Sequence, residues 1–168
     1  MQTTTEHIQF RKVMGRFITG VTVVTARAGD EVHGMTCNAF CSISITPLTV
    51  MVSIAKNTRS ERLIEKGGVF AVNILSETQS YLADRFAGRH KDKEGNRFEG
   101  FEWEPAVTGA PIFTGIQAYV DCKVMKAYDG GTHTLYLGKV VASHLDDSQH
   151  PLVFYKSRYV GLDSYKAS

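Results

Sequence analysis

The stretch Ile116-Gln-Ala-Tyr-Val-Asp-Cys-Lys-Val124 decides the fold class, because its apolar side chains occupy every second position. A period of two residues is that of a β-strand with one buried face. Gly130-Gly131 follows as a turn, and residues 132–143 return as a second strand. The segment therefore predicts a long hairpin in an antiparallel sheet.

Further strands are predicted on both sides of this hairpin. Their runs are apolar or β-branched and are bounded by turn residues. They are Val21–Ala26, Val32–Met35, Phe40–Ile45, Leu48–Ile54, Val69–Leu75 and Leu152–Tyr155. Many short strands with few helices favour a mainly antiparallel sheet, and a sheet of this size tends to close into a barrel. We expect one domain over residues 1–168, with its core at about residues 10–160.

Three helices are predicted to flank the strands. The first has Thr3 and Glu6 as its capping box and ends near Gly20, and its apolar face is Phe10, Val13, Met14, Phe17 and Ile18. We interpret this stripe as core packing or a subunit contact. Thr58-x-x-Glu61 predicts a second helix that ends at Gly67, and Ser76-x-x-Gln79 predicts a third that runs towards Phe86. The charged stretch from Arg89 to Gly100 is expected to be a surface loop.

Composition excludes several classes of function. The net charge is +2 and no Lys/Arg block is present, so no nucleic-acid partner is expected. Neither a signal peptide nor a membrane-length apolar run is visible, which makes a cytoplasmic location without a membrane partner the expectation. The three cysteines and the scattered histidines lack disulfide or ligand spacing, so we expect no metal. Rossmann, P-loop and hydrolase-elbow motifs are missing too.

Two segments carry candidate chemistry. His33-Gly-Met-Thr-Cys-Asn-Ala-Phe-Cys-Ser-Ile-Ser44 interleaves hydrogen-bonding side chains with apolar ones, which suits a planar heterocycle with polar edges. The polar outer face of an edge strand explains the same composition. Lys56-Asn-Thr-Arg-Ser60 lies at a helix start, where free N–H groups and two cations suit a phosphate. A capped, solvated helix start explains that segment equally well.

Several motifs together resemble the short-chain flavin reductases, the reductase components of two-component flavin-dependent monooxygenases. They are Phe10-Arg-x-x-Met-Gly, Thr19-Gly-Val-Thr-Val-Val-Thr, Gly34-Met-Thr-x-Asn-Ala-Phe-x-Ser-Ile-Ser, Val72-Asn-Ile-Leu, Phe86-Ala-Gly, Gly131-Thr-His-Thr-Leu-Tyr-Leu-Gly and Pro151-Leu-Val-Phe-Tyr. The resemblance runs from about Phe10 to Tyr159. It implies a mainly β, FMN-binding split β-barrel with Greek-key-like antiparallel strands, a homodimer, and a partner monooxygenase.

The resemblance also implies roles for individual residues. Flavin ring and ribityl contacts fall on Thr36, Cys37, Asn38, Ala39, Phe40, Ser42 and Ile43, with backbone N–H groups of residues 36–40 at the pyrimidine edge. Phosphate contacts fall on Lys56, Arg59 and Ser60, and Phe86, Ala87 and Gly88 lie beside the flavin. His133 matches the nicotinamide histidine and is the one candidate catalytic residue, with Arg158 and Tyr159 near it. Cys37 and Thr132 depart from the Ala and Asp that are common in the family.

The implied reaction is hydride transfer from NADH (or NADPH) to flavin N5, with FMN or FAD as the flavin. The cofactors carry this chemistry, and the protein supplies alignment and electrostatics. Two other functions remain open at this point: a non-catalytic flavin carrier or sensor with the same barrel, and an oxidase of the pyridoxamine-phosphate type.

Overall fold

The computed structural model describes residues 4–90 and 96–162. The helices are α1 (Thr5–Met14), α2 (Arg59–Gly67) and α3 (Ser80–Phe86), the last preceded by a 3-10 turn at Glu77–Gln79. The strands are β1 (Thr19–Gly20), β2 (Thr22–Ala28), β3 (Glu31–Cys37), β4 (Phe40–Ile45), β5 (Leu48–Ala55), β6 (Val69–Ile74), β7 (Trp103–Pro105), β8 (Pro111–Phe113), β9 (Ala118–Asp129), β10 (His133–Leu145), β11 (Val153–Tyr155) and β12 (Arg158–Val160).

Seven strands form one antiparallel sheet in the order β3-β2-β6-β9-β10-β5-β4. Its longest hairpin is β9–β10, which confirms the prediction from the alternating segment, and Gly131 takes φ +80° in the turn. Strand β2 has an apolar, β-branched sequence and is buried on both faces, as expected of an inner strand. Smaller sheets comprise β1-β11-β12 and β7-β8.

The two edge strands of the large sheet, β3 and β4, follow each other in the chain and are joined by residues 38–39. At this connection the Ser53 N–H donates to the Ala39 carbonyl at 3.0 Å, and the Cys37 thiol donates to the Ala39 and Ser53 carbonyls. The sheet thus curls until its edges approach, without a continuous ladder between them. This is the predicted split barrel.

Two apolar clusters hold the barrel and its flanking elements together. The inner one packs Val52 and Ile54 of β5 against Phe70 of β6 and Tyr136 of β10. The outer one packs α3, β8 and the loop before β7 against the sheet. Its aromatic centre is Phe86, whose ring meets the rings of Phe98 and Phe113 edge-on at centroid distances of 5.0 Å each.

The first helix differs from the prediction. Its capping box is formed by Thr4 and His7, not by Thr3 and Glu6, and it ends at Met14 with Gly15 as the cap. A His side chain at the third helical position accepts the Thr4 N–H as a Gln would, at 3.2 Å. Phe17 and Ile18 therefore lie beyond the helix. No side chain of α1 is buried, so within one chain the stripe is not core.

The C-terminal region and the segment before β9 hold strands that the sequence did not predict. The last predicted strand is followed by β12, and β7 pairs with β8 within residues 101–115, for which no helix or strand was predicted. These strands have three residues each, too short for periodicity to reveal. Residues 91–95 of the predicted surface loop lie outside the described residues, and Phe98 near its end is buried.

No described helix, in residues 4–90 or 96–162, is both long enough and apolar enough to cross a membrane.

Candidate flavin site

The β3–β4 connection, the end of α3 and strand β12 converge on one small cavity of about 110 Å³. Four predicted flavin-site residues line it: Thr36, Asn38, Ala87 and Tyr159. Thr36 Oγ1 donates to the Ala83 carbonyl at 2.5 Å, which fixes the end of α3 against β3. The structure therefore brings together residues that are more than 120 positions apart in the chain.

A second cavity, of about 370 Å³, adjoins the first because Asn38 lines both. Phe40, another predicted contact, lies on its wall together with Phe17, Ile18 and Gly20. Asn38 Nδ2 donates to Thr19 Oγ1 at 3.3 Å, so the amide is oriented by β1. An apolar space beside a few fixed hydrogen-bonding groups suits a planar heterocycle.

Tyr159 is held at the first cavity by a residue that the sequence did not single out. Its hydroxyl donates to Asp84 Oδ1 at 2.8 Å, and the same oxygen accepts Arg89 Nη1 at 2.6 Å. The Arg89 guanidinium carbon also lies 5.7 Å from the Tyr159 ring centroid. Burial, and then the hydrogen bond to Asp84, raise the pKa of Tyr159 to about 12, so its hydroxyl stays protonated.

The predicted phosphate segment begins α2. Thr58 caps the helix by accepting the Glu61 N–H at 3.2 Å. The buried Glu61 carboxylate accepts the Asn57 N–H and the Thr134 hydroxyl, both at 2.6 Å, and so ties the helix start to β10. The segment is therefore a capped helix start, and the N-terminus of a helix also favours an anion.

Each predicted phosphate contact already has a partner within the protein. Lys56 Nζ lies 2.6 Å from Asp129 Oδ1, and Arg59 Nε lies 2.7 Å from Glu31 Oε1. Both cations keep partial exposure, at 32% and 43%, so they remain accessible to an anion. The buried Ser60 hydroxyl instead meets His33 Nδ1 at 2.8 Å. The donor set of two cations at a helix N-terminus fits a phosphate.

His133 begins β10 and pairs with Ala55, the residue before Lys56. Its Nδ1 lies 2.9 Å from Thr132 Oγ1, and the Lys56 N–H donates to the Thr132 carbonyl at 3.0 Å. Ser53 lies two residues before Ala55 on β5, and its N–H donates to the Ala39 carbonyl. His133 therefore lies at the same end of the sheet as the predicted phosphate and ring contacts, and its side chain is exposed.

Other predicted contacts are not brought to these cavities by their side chains. The Phe86 ring is 1% exposed within the aromatic cluster, and the Cys37 thiol is buried, which raises its pKa. Ser42, Ile43 and Arg158 are exposed and line neither cavity. Phe86 and Cys37 could therefore contact a flavin only through their backbone atoms. Gly88, which follows Ala87, has φ +74° and lies against Arg97.

Comparison with known proteins identifies the family to which the chain belongs. The flavin reductase-like domain matches residues 14–163. The chain belongs to the flavin reductase-like family. The reductase subunit HsaB of a flavin-dependent monooxygenase from Rhodococcus jostii is 36% identical over 158 residues, spanning 94% of this chain and 79% of the relative.

Two further members of the family are similar over nearly the whole chain. An NADH-dependent flavin reductase from a Rhodococcus species is 37% identical over 159 residues, or 93% of this chain and 86% of that protein. The crystal structure of a nitrilotriacetate monooxygenase component B homologue from Mycobacterium thermoresistibile superposes with a TM-score of 0.89. It is 36% identical and covers 97% of this chain and 90% of its own. Flavin reductases are therefore the structural neighbours of this split barrel.

Asp84 gives a prediction about Tyr159. Asp84→Ala removes the acceptor of both Tyr159 and Arg89, whereas Asp84→Asn keeps an oxygen for the Tyr159 hydroxyl. Because the hydrogen bond orients a cavity wall, we expect Asp84→Ala to raise the KM for the nicotinamide several-fold and Asp84→Asn to change it little. Steady-state kinetics and melting curves on both variants check this. Equal effects of the two substitutions would show that the ion pair with Arg89, and not the tyrosine bond, matters.

Proposed function

We propose that the chain is an NADH-dependent flavin reductase that supplies reduced flavin to a partner monooxygenase. The observation that carries the proposal is the position of Thr36, Asn38 and Tyr159 around one cavity, in a barrel that also presents two accessible cations, Lys56 and Arg59, at a helix start. When bound, the flavin supplies the redox chemistry by accepting a hydride from the nicotinamide.

The protein's own contribution is alignment. Asn38 and the backbone of residues 36–40 offer donors to the polar edge of the ring, where negative charge develops on reduction. Lys56 and Arg59 anchor the phosphate end, which fixes the ring's distance from the helix. Tyr159, held by Asp84, forms a wall of the cavity and would help to position a bound nicotinamide for hydride transfer.

The direct test is oxidation of NADH in the presence of excess free FMN or FAD, followed at the absorbance band of the reduced nicotinamide. We expect turnover with NADH that depends on added flavin, and anaerobic bleaching of the flavin band. A carrier or sensor with the same barrel would bind flavin and leave NADH unoxidised. NADPH in place of NADH tests the choice of nicotinamide. Pyridoxamine phosphate in place of either nicotinamide tests for an oxidase of the pyridoxamine-phosphate type.

His133 is proposed to contact the nicotinamide. We expect His133→Ala to leave flavin affinity nearly intact and to lower turnover at limiting NADH modestly, because a neutral hydrogen bond contributes about 0.5–1.5 kcal/mol. Flavin affinity, melting temperature and the NADH dependence of the rate are measured on one preparation. If His133 only holds the β9–β10 turn through Thr132, the variant loses thermal stability and flavin affinity together, and Thr132→Val reproduces that loss.

A homodimer is proposed on the basis of the exposed apolar residues around α1. Phe10 is 66% exposed and Phe17 is 69% exposed in the single chain, which is costly in water. We expect sedimentation at micromolar concentration to show a dimer, and Phe10→Ser with Phe17→Ser to shift it towards monomer. Wild-type protein that sediments only as monomer contradicts the proposal.

The free thiols of Cys37, Cys41 and Cys122 fit a reducing compartment, and we propose the cytoplasm.

A further inference from the structure

Glu61 lies in the first turn of α2, and its buried carboxylate joins two parts of the barrel to which ligand contacts are assigned. One oxygen, Oε2, accepts the Asn57 N–H, and the other, Oε1, accepts the Thr134 hydroxyl, both at 2.6 Å. Asn57 follows Lys56 in the chain, and Thr134 follows His133. Each carboxylate oxygen is therefore bonded to the neighbour of a proposed ligand contact.

These bonds differ from those of an ordinary helix cap. A glutamate three residues after the cap residue usually returns to the N–H of the cap residue itself. Here Thr58 is the cap residue, and the Glu61 carboxylate bonds to the N–H one position earlier and to a strand outside the helix. Burying a carboxylate costs far more free energy than burying an apolar side chain, unless its bonds compensate. Packing alone gives no reason for a carboxylate here, whereas fixing the relative position of two segments does.

Asn57 benefits from such a bond because its backbone is left-handed, with φ +62°. Only glycine adopts this conformation without a steric cost. Asn57 is the middle residue of the corner formed by residues 56–58 between β5 and α2, so its conformation sets where the Lys56 side chain and the helix start lie. On the other side of the corner, the Lys56 N–H donates to the Thr132 carbonyl at 3.0 Å. The corner and the start of β10 are therefore tied together at two points, and Glu61 supplies one of them.

We propose that Glu61 is a positioning residue for flavin reduction, which holds the corner between β5 and α2 at a fixed place relative to His133 on β10. The inference rests on the proposed function, in which the corner helps to anchor the flavin phosphate and His133 contacts the nicotinamide. Glu61 acts through Asn57 and Thr134 and touches neither ligand. Its bond to Asn57 supports flavin affinity, and its bond to Thr134 supports the use of NADH.

Variants of Glu61 and its partners separate the two bonds. Glu61→Ala removes both of them. Glu61→Gln keeps both, because the amide oxygen accepts the Asn57 N–H and the amide N–H donates to the Thr134 hydroxyl, which rotates to accept. Thr134→Val removes only the bond to β10, and Glu61→Ala with Asn57→Gly removes both while glycine adopts the left-handed corner without support. Glu65→Gln is the matched control, since this exposed carboxylate lies one turn later on α2.

Flavin affinity reports on the bond to Asn57. Dissociation constants of FMN and riboflavin are measured by flavin fluorescence, well below the melting temperature of each variant. We expect Glu61→Ala to weaken FMN binding about tenfold, the effect of one hydrogen bond to a charged group, and riboflavin binding by less than about twofold. Adding Asn57→Gly should restore FMN affinity to within about threefold of wild type. Glu61→Gln, Thr134→Val and Glu65→Gln should each stay within about twofold.

The use of NADH reports on the bond to Thr134. At saturating FMN we expect Thr134→Val to lower kcat/KM for NADH about threefold, and Glu61→Ala to do the same with or without Asn57→Gly. Because the bond acts through His133, Thr134→Val should cause no further loss in the His133→Ala background. A residue that only stabilises the fold would lower the melting temperature without separating flavin affinity from the use of NADH.

Any of three results overturns the proposal: equal losses of FMN and riboflavin affinity in Glu61→Ala, a Glu61→Gln protein as impaired as Glu61→Ala, or additive losses from Thr134→Val and His133→Ala. If Glu61→Ala does not fold, the additivity measurement still decides, because it leaves Glu61 in place. Wild-type protein that oxidises NADH with FMN leaves the reductase function standing in each case. Wild-type protein that leaves NADH unoxidised contradicts that function, and the affinities for FMN and riboflavin still test the bond between Glu61 and Asn57.

Discussion

Replacing both Lys56 and Arg59 with alanine is expected to weaken FMN binding by at least about a hundredfold while riboflavin binding changes little. Each charge-assisted contact to a phosphate contributes about 1.5–3 kcal/mol, and about 1.4 kcal/mol corresponds to a tenfold change in affinity. Both cations flank the start of α2, where the helix also favours an anion. Titration of flavin fluorescence with the two ligands measures the difference directly.

The ion partners of these cations require a control. Lys56→Ala leaves Asp129 without its 2.6 Å partner, and Arg59→Ala does the same to Glu31, so each variant also adds an uncompensated negative charge near the phosphate. Removing Asp129 and Glu31 as well restores the local net charge. If FMN affinity then recovers fully, repulsion caused the loss and Lys56 and Arg59 do not bind the phosphate. Equal losses for FMN and riboflavin would contradict the assignment too.

The fold was predictable where the pattern was long. The β9–β10 hairpin has an alternating sequence and a Gly-Gly turn, and the capped start of α2 at Thr58 has a local signature. The candidate site was predicted mainly through resemblance. Composition alone left the polar strand and the helix start ambiguous, because a phosphate anchor and a solvated cap use the same residues.

Features that depend on contacts distant in sequence were not predictable. Asp84 accepts a hydrogen bond from Tyr159, which lies 75 positions later in the chain, and no local sequence pattern predicts that bond. The burial of the Phe86 ring likewise depends on Phe98, from the predicted surface loop, and on Phe113, from a segment for which no element was predicted. Strands β7, β8 and β12 have three residues each and depend on pairing with neighbouring strands that their own short sequences do not reveal. What covers the exposed apolar surface of α1 was not predictable either, because its proposed partner is another chain.

The same dependence on distant contacts makes Gly67 the glycine with the largest expected effect on stability. Gly67 ends α2, and a Cβ there would overlap the backbone carbonyl oxygen of Arg27 in β2 and lie 3.0 Å from its carbon. Helix propensity alone favours alanine at such a position by about 0.8–1 kcal/mol. The overlap opposes this gain, because a carbonyl in a strand buried on both faces cannot move aside as a flexible side chain does.

Gly67→Ala is therefore expected to destabilise the fold by about 3 kcal/mol, the upper part of the range for overpacking. For a chain of this size that corresponds to a fall in melting temperature of about 6–12 °C. The neighbouring Gly68 is the matched control. It takes φ +66° in open space, so Gly68→Ala costs only the left-handed strain, about 1–2 kcal/mol. Since α2 also carries Arg59, its displacement should weaken FMN binding in Gly67→Ala and not in Gly68→Ala. A Gly67→Ala protein that melts at the wild-type temperature, or above the Gly68→Ala protein, would show that the helix shifts without cost and that its contact with β2 does not position the phosphate site.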